Sequence, residues 1–166
     1  MHQPTPPQTQ IHQPTIPKIR RPIMGPQCRA LADDERLVIA LIRQIVVNGI
    51  EAPLAQRAMT RRSAAAGQSA FARLGGWLSL IANAATRQIA IGSPVRCCPS
   101  PDEVAMLAIL AGAPRGDFAL VHKLLGEFVN GDAVDALAHG AEQLGVQLIA
   151  AGIALRPVRG TGTGGS

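Results

Sequence analysis

The sequence has no tyrosine, only two lysines and only four aromatic residues among its 166 positions. So few aromatic side chains argue against the base-stacking surfaces of proteins that bind single-stranded nucleic acids. No apolar run approaches the roughly 18 residues that a membrane-spanning helix needs. Three cysteines do not make a disulfide scaffold, and they suit a reducing compartment. The first residues contain no apolar segment of a secretory signal, so we expect a cytoplasmic protein.

Recognisable catalytic motifs are also missing. Neither His122 nor His139 has a Ser, Cys or carboxylate that the sequence places beside it as a catalytic partner. The glycine-rich stretch 160–165 lacks the Lys-Ser/Thr pair and the following helix of a phosphate-binding loop. We therefore expect that the protein is not an enzyme.

The composition predicts one all-α domain with a tail at each end. Hydrophobic residues make up 47% of the chain and charged residues 16%, which is enough apolar surface to bury a core. Residues 1–29 hold seven of the thirteen prolines and predict a disordered Pro/Gln-rich arm. Residues 30–155 predict a bundle of five to seven short helices. Residues 156–166 predict a disordered Gly/Thr-rich tail.

Start and stop signals divide the helical domain. The first helix begins at Asp33 or Asp34 and ends at Asn48-Gly49. It is apolar nearly all round, which is typical of a central helix or of an oligomer interface. We therefore predict that Leu37, Leu41 and Ile45 form an interface between two copies of the protein. The clearest start is a capping box that combines Ser100, Pro101 and Glu103. This capped helix covers residues 101–112, and the other predicted helices cover residues 53–66, 69–86, 117–129 and 132–145. Residues 146–155 predict a short seventh helix or an extended packing segment.

Positive charge is concentrated in the first half of this domain. Residues 52–100 contain six arginines and no acidic residue, whereas residues 101–166 contain four basic and seven acidic residues. Unpaired like charges one helical turn apart are unfavourable, and an anionic partner relieves them. This pattern predicts an anion-binding face, with pairing to the acidic second half as the alternative. The residues of this face are Arg57, Arg61, Arg62 and Arg73.

The cysteines supply a second candidate site. Cys97 and Cys98 precede Pro99 on a loop just before a helix N-terminus, where the helix dipole favours a thiolate. Such a pair serves as a redox sensor or, with Cys28 or a histidine, as a soft-metal or haem ligand. The alternative is a structural role, because free cysteines are commonly buried. We expect no cofactor, with a metal or haem at Cys97 and Cys98 as the alternative.

Several segments together resemble a family of small helical alphaproteobacterial proteins without an assigned function. The resembling segments are the apolar helix 37–50 with Arg43, the stretch Gln88-Ile-Ala-Ile, and the Cys97-Cys98-Pro99 loop that leads into residues 103–110. The resemblance covers about residues 30–150. It implies an all-helical domain and a role for the Cys-Cys-Pro loop, and it implies no activity.

The sequence thus favours a cytoplasmic interaction or regulatory protein that acts through helix-face contacts with a protein partner or a second copy. One alternative is a thiol-based redox sensor or a metal- or haem-binding protein that uses the cysteine loop. A second alternative is a nucleic-acid-binding protein that uses residues 52–96. Against this alternative, the second of the paired helices there carries packing residues such as Trp77, whereas a recognition helix carries base-reading residues.

Overall fold

The structure, a computed structural model, describes residues 31–157. Within this range the protein is all-α, as predicted, with a 3₁₀ turn at Ala113–Arg115 and no strand beyond one isolated bridge between Ala85 and Val129. The predicted arm and tail lie outside the described residues, apart from residues 156 and 157. The helices are α1 (Asp33–Asn48), α2 (Pro53–Arg62), α3 (Ala64–Ala84), α4 (Pro101–Gly112), α5 (Phe118–Gly126) and α6 (Gly131–Ala150).

Two predicted helix ends are wrong because glycines there allow close packing instead of ending a helix. Gly67 lies inside α3, and a Cβ on it would lie 2.2 Å from the carbonyl oxygen of Met59 in α2. Gly145 lies inside α6, where a Cβ would come within 2.8 Å of Pro114. The residue that separates α2 from α3 is Ser63, whose backbone is extended. Residues 146–150 therefore continue α6, and no seventh α-helix forms in the described chain.

The core forms around α3 and α6, which make the most extensive helix contact. The Trp77 indole N–H donates to the carbonyl of Leu137 at 3.0 Å, and Gly140 allows the indole to lie against α6. The only polar group of the indole keeps a hydrogen bond, so Trp77 is buried without an unsatisfied N–H donor. The short helices α4 and α5 pack against the same α6.

The self-association face predicted on α1 is covered by the chain itself. Leu41 and Ile45 are buried and Leu37 is half-buried, so the apolar side of α1 belongs to the core. The prediction that these three residues form an interface is therefore corrected. The apolar residues that α1 and its C-terminal connection expose are Val46, Val47 and Ile50.

No helix among residues 31–157 is both long enough and apolar enough to cross a membrane.

Candidate functional site

Arg43 and Glu103 form a buried ion pair that fixes the loop before α4. Arg43 Nε donates to Glu103 Oε1 at 2.7 Å and Nη2 donates to Oε2 at 2.9 Å. The guanidinium also donates to the backbone carbonyls of Arg96 and Cys98. All five N–H groups of an arginine act as donors in a rigid fork, so a single side chain can hold a carboxylate and a loop backbone together. This pair attaches the cysteine loop to α1.

The Glu103 carboxylate remains charged although it is fully buried. Burial alone raises the pKa of this carboxyl, but the Arg43 guanidinium and the backbone N–H groups of Ser100 and Gly92 hold its pKa below the usual 4.5. Its contact with Ser100 N–H is one half of the predicted capping box. The Ser100 hydroxyl accepts from Glu103 N–H, which confirms the other half. The carboxylate is therefore a structural group with its hydrogen bonds satisfied.

The cysteine loop does not present two free thiols. Cys97 is exposed and free, whereas Cys98 is disulfide-bonded, and the two Sγ atoms are 3.8 Å apart. Cys28 lies outside the described residues. A disulfide sulfur is not a thiolate ligand, so metal or haem binding by the pair requires reduction of Cys98. A disulfide is also more typical of an oxidising compartment than of the reducing one that we expected. The redox, metal and cytoplasmic assignments all stay predictions.

The histidines contribute no metal cluster within the described chain. His122 Nε2 lies 3.7 Å from an Asp135 oxygen, and His139 Nδ1 lies 3.5 Å from a Glu142 oxygen, all on the surface. Among residues 31–157, no group of three or more His, Cys, Asp and Glu residues is arranged to hold a metal ion.

The arginines of the basic segment divide into two groups. Arg62 pairs with Asp34 of α1 at 2.9 Å, and Arg87 pairs with Asp102 at 2.8 Å. The Arg87 hydrogen bonds, helped by the N–H of Ala90, hold the pKa of Asp102 below its usual value despite partial burial. These two arginines are therefore neutralised within the fold. The predicted anion-binding face is corrected accordingly, because Arg62 is already engaged by a carboxylate.

The second group makes no ion pair within residues 31–157 and comprises Arg57, Arg61, Arg73 and Arg96. Arg57 and Arg61 lie one turn apart on the same helix. Both are exposed on α2, and neither makes an ion pair with any residue in 31–157. Arg61 Nε donates to the Arg57 carbonyl at 3.3 Å, which leaves the other N–H groups of the guanidinium directed to solvent. Arg73 lies further along α3 and donates to the amide oxygen of Gln143 at 2.9 Å. Of the four predicted face residues, Arg57, Arg61 and Arg73 thus have no carboxylate partner within residues 31–157, and Arg57 and Arg61 lie together on α2.

These two arginines line an open groove of about 1000 Å³ between α2 and α3, here called the α2–α3 groove. Its α2 side carries Leu54, Arg57 and Arg61, which lie on one face because they are three and four residues apart. Leu54 is 66% exposed and Ile50, at the same groove, is 56% exposed. The groove therefore joins an uncovered apolar surface to two cations.

Small residues line the α3 side of the groove. Ala72, Gly75 and Gly76 share one face of α3 by their spacing of three and four residues. Ile50, on the connection after α1, lies against Gly75, where a Cβ would approach its Cγ2 to 2.5 Å. At Gly76, no atom lies within 4 Å of the position of an added Cβ. Gly75 thus receives a neighbouring side chain of the protein, and Gly76 opens onto empty space.

Sequence reasoning found the arginines but missed the groove. Helix α3 continues through Gly75 and Gly76 without interruption, and a Cβ at Gly75 would lie 2.5 Å from Cγ2 of Ile50. A usable signal was present, because Ala72, Gly75 and Gly76 put three small residues on one helix face at spacings of three and four. Sequence reasoning also missed the Arg43–Glu103 pair, although an arginine within the apolar run of α1 indicates a buried partner.

In comparisons with known proteins, the chain matches no family model, no curated protein and no solved structure. The resemblance to the alphaproteobacterial family therefore stays a prediction.

Proposed function

We propose that the protein is a non-enzymatic interaction or regulatory protein that binds an acidic partner on the exposed face of α2. The observation that carries this proposal is that Arg57 and Arg61 lie one turn apart beside an apolar groove and have no carboxylate partner within residues 31–157, whereas their neighbour Arg62 is paired with Asp34. Two guanidinium groups one turn apart on a helix repel each other, and an acidic surface relieves this repulsion. Such charges favour fast and selective encounter with an oppositely charged protein.

Apolar surface beside the arginines supports a protein partner. Ile50 and Leu54 are both more than half exposed and lie at the α2–α3 groove. Interfaces gain affinity from buried apolar anchors, and charges around them contribute on-rate and specificity. A surface with only arginines fits any polyanion. The combination with exposed Leu and Ile favours a protein over a nucleic-acid backbone.

The test is charge reversal with a matched control. We expect Arg57→Glu combined with Arg61→Glu to lower the recovery of bound partner from an extract of the producing organism by about tenfold, because two attractions become repulsions. The control is Arg96→Glu combined with Lys123→Glu, which changes the net charge equally at two exposed sites away from the groove. Recovery is measured by quantitative mass spectrometry at low and high salt.

The wild-type recovery should fall steeply with salt, because exposed ion pairs are screened within about 10 Å at 0.1 M. If the α2 double variant retains the same partners at the same salt sensitivity as the control, the proposed surface is wrong.

A further inference from the structure

We infer that the α2–α3 groove receives one amphipathic helix of the partner, with apolar residues against α3 and carboxylates on Arg57 and Arg61. This inference rests on the proposed function and names the form of its partner. Recognition of a helix in an apolar groove is a recurrent mode of peptide binding, with anchors spaced three or four residues apart.

The length of the groove suits a short helix. Gln68 and Ser79 are the outermost α3 residues that line it. At ~1.5 Å of rise per residue, this part of α3 extends about 16 Å, or about three helical turns. A helix of that length places apolar side chains of successive turns along the groove.

The small residues of α3 explain how such a helix approaches closely. Ala72 and Gly76 are exposed, and an added Cβ at Gly76 meets no atom within 4 Å. Small residues on a helix face let a second helix or its large side chains come near the backbone. Here that space is open, so a partner's Leu or Phe side chains have room without any displacement of the fold.

The charge spacing selects an acidic helix. Arg57 and Arg61 are four residues apart, and residues at this spacing lie about 5–6 Å apart on a helix surface. Carboxylates four residues apart on a partner helix have the same separation, so each can meet one guanidinium. A basic segment is disfavoured by the same charges. This also argues against the chain's own N-terminal residues as the occupant, because Lys18, Arg20, Arg21 and Arg29 are basic and residues 1–30 include no acid.

The experiment uses the full chain and a labelled, Ala-rich peptide of about 15 residues. The peptide carries Leu at i, i+4 and i+7, and Glu residues four apart beside them. A second peptide has Lys in place of Glu. Fluorescence anisotropy measures binding, and circular dichroism measures the helicity that the peptide gains. We expect saturable binding of the Glu peptide with a gain in helicity, and at least roughly tenfold weaker binding of the Lys peptide.

Groove-filling variants separate this inference from the proposed function. Ala72→Leu and Gly76→Leu place a side chain in the groove without changing the charge, and we expect each to weaken binding of the Glu peptide by roughly tenfold. Ala136→Leu, at an exposed helical alanine on α6, is the matched control and should bind normally. Thermal unfolding confirms that each variant is folded.

The outcomes are distinct. If charge reversal at Arg57 and Arg61 removes partner capture but both groove-filling variants bind normally, the α2 surface is correct and the groove inference is wrong. If charge reversal has no effect on capture, the proposed function itself fails. The helix inference is also overturned if the Lys peptide binds as tightly as the Glu peptide. It is overturned if the fatty acid dodecanoate displaces the Glu peptide and that peptide gains no helicity on binding. Self-association of the protein that Ala72→Leu and Gly76→Leu abolish would overturn it as well.

Discussion

Glu103 is a charged side chain with no exposed surface, and its contacts decide whether it stabilises the fold. It accepts two hydrogen bonds from Arg43, which is itself only 4% exposed, and one each from the backbone N–H groups of Ser100 and Gly92. Removing one partner of a buried pair leaves the other charge uncompensated. The sequence predicted the capping role of Glu103 through its spacing from Ser100. It did not predict Arg43, because residues 60 positions apart in the chain come together only through packing.

We therefore expect Glu103→Gln to lower the free energy of unfolding at neutral pH by about 3 kcal/mol or more, because it leaves the Arg43 cation buried. The folded-state pKa of Glu103 is below its usual value. The contribution of the Glu103 carboxylate to the free energy of unfolding is thus complete above the unfolded-state pKa. It is lost as the pH falls through the folded-state pKa. The difference between wild type and variant should be constant above about pH 5 and should shrink as the pH falls further, as measured by urea unfolding.

The control is Glu51→Gln, at an exposed carboxylate in the connection between α1 and α2. It should leave both the stability and its pH dependence nearly unchanged. A constant difference between wild type and Glu103→Gln down to about pH 3 would mean that the Arg43–Glu103 pair does not titrate as described.

At the scale of the elements, glycines decide how α2, α3 and α6 approach one another. The helix starts that carry a local signal were predicted correctly, since α1 begins with acidic residues and α4 begins with a capping box. The ends predicted at Gly67 and Gly145 were wrong, because a glycine that ends a helix and one that permits a close contact look alike in sequence. Only the position of Met59 or Pro114 distinguishes them.

Gly67 and Gly76 make a matched test of this distinction on one helix. We expect Gly67→Ala to lower the unfolding free energy by about 1–3 kcal/mol, because the new methyl group meets the backbone of Met59. Gly76→Ala should raise it by up to about 1 kcal/mol, because alanine favours a helix and the space is open. Chemical unfolding of both variants measures the change in unfolding free energy relative to wild type, which should be negative for Gly67→Ala and positive for Gly76→Ala. A stabilising Gly67→Ala would show that α2 and α3 pack less closely than described.

At the scale of the whole molecule, the sequence predicted the class of fold and the excess of positive charge, but not how that charge is distributed. The predicted anion-binding face comprised Arg57, Arg61, Arg62 and Arg73, with pairing to the acidic second half as the alternative. The fold pairs Arg62 with Asp34 and so removes it from that face, and it pairs Arg87 with Asp102 of the acidic second half. Arg57 and Arg61 remain beside an apolar groove that lies between α2 and α3. The hydrophobic pattern of a single helix does not predict such a groove, because two helices form it together.

The most direct test of the account is a map of backbone amide shifts in isotope-labelled protein during titration with the Glu peptide. We predict that the largest shifts lie along the α2–α3 groove, at residues such as Leu54, Arg57, Ala72 and Gly76, and that high salt reduces them. The cysteine loop and the far end of α6 should not shift. Shifts centred on the loop around Cys97, or spread evenly over the protein, would contradict the assignment of the α2–α3 groove as the binding site.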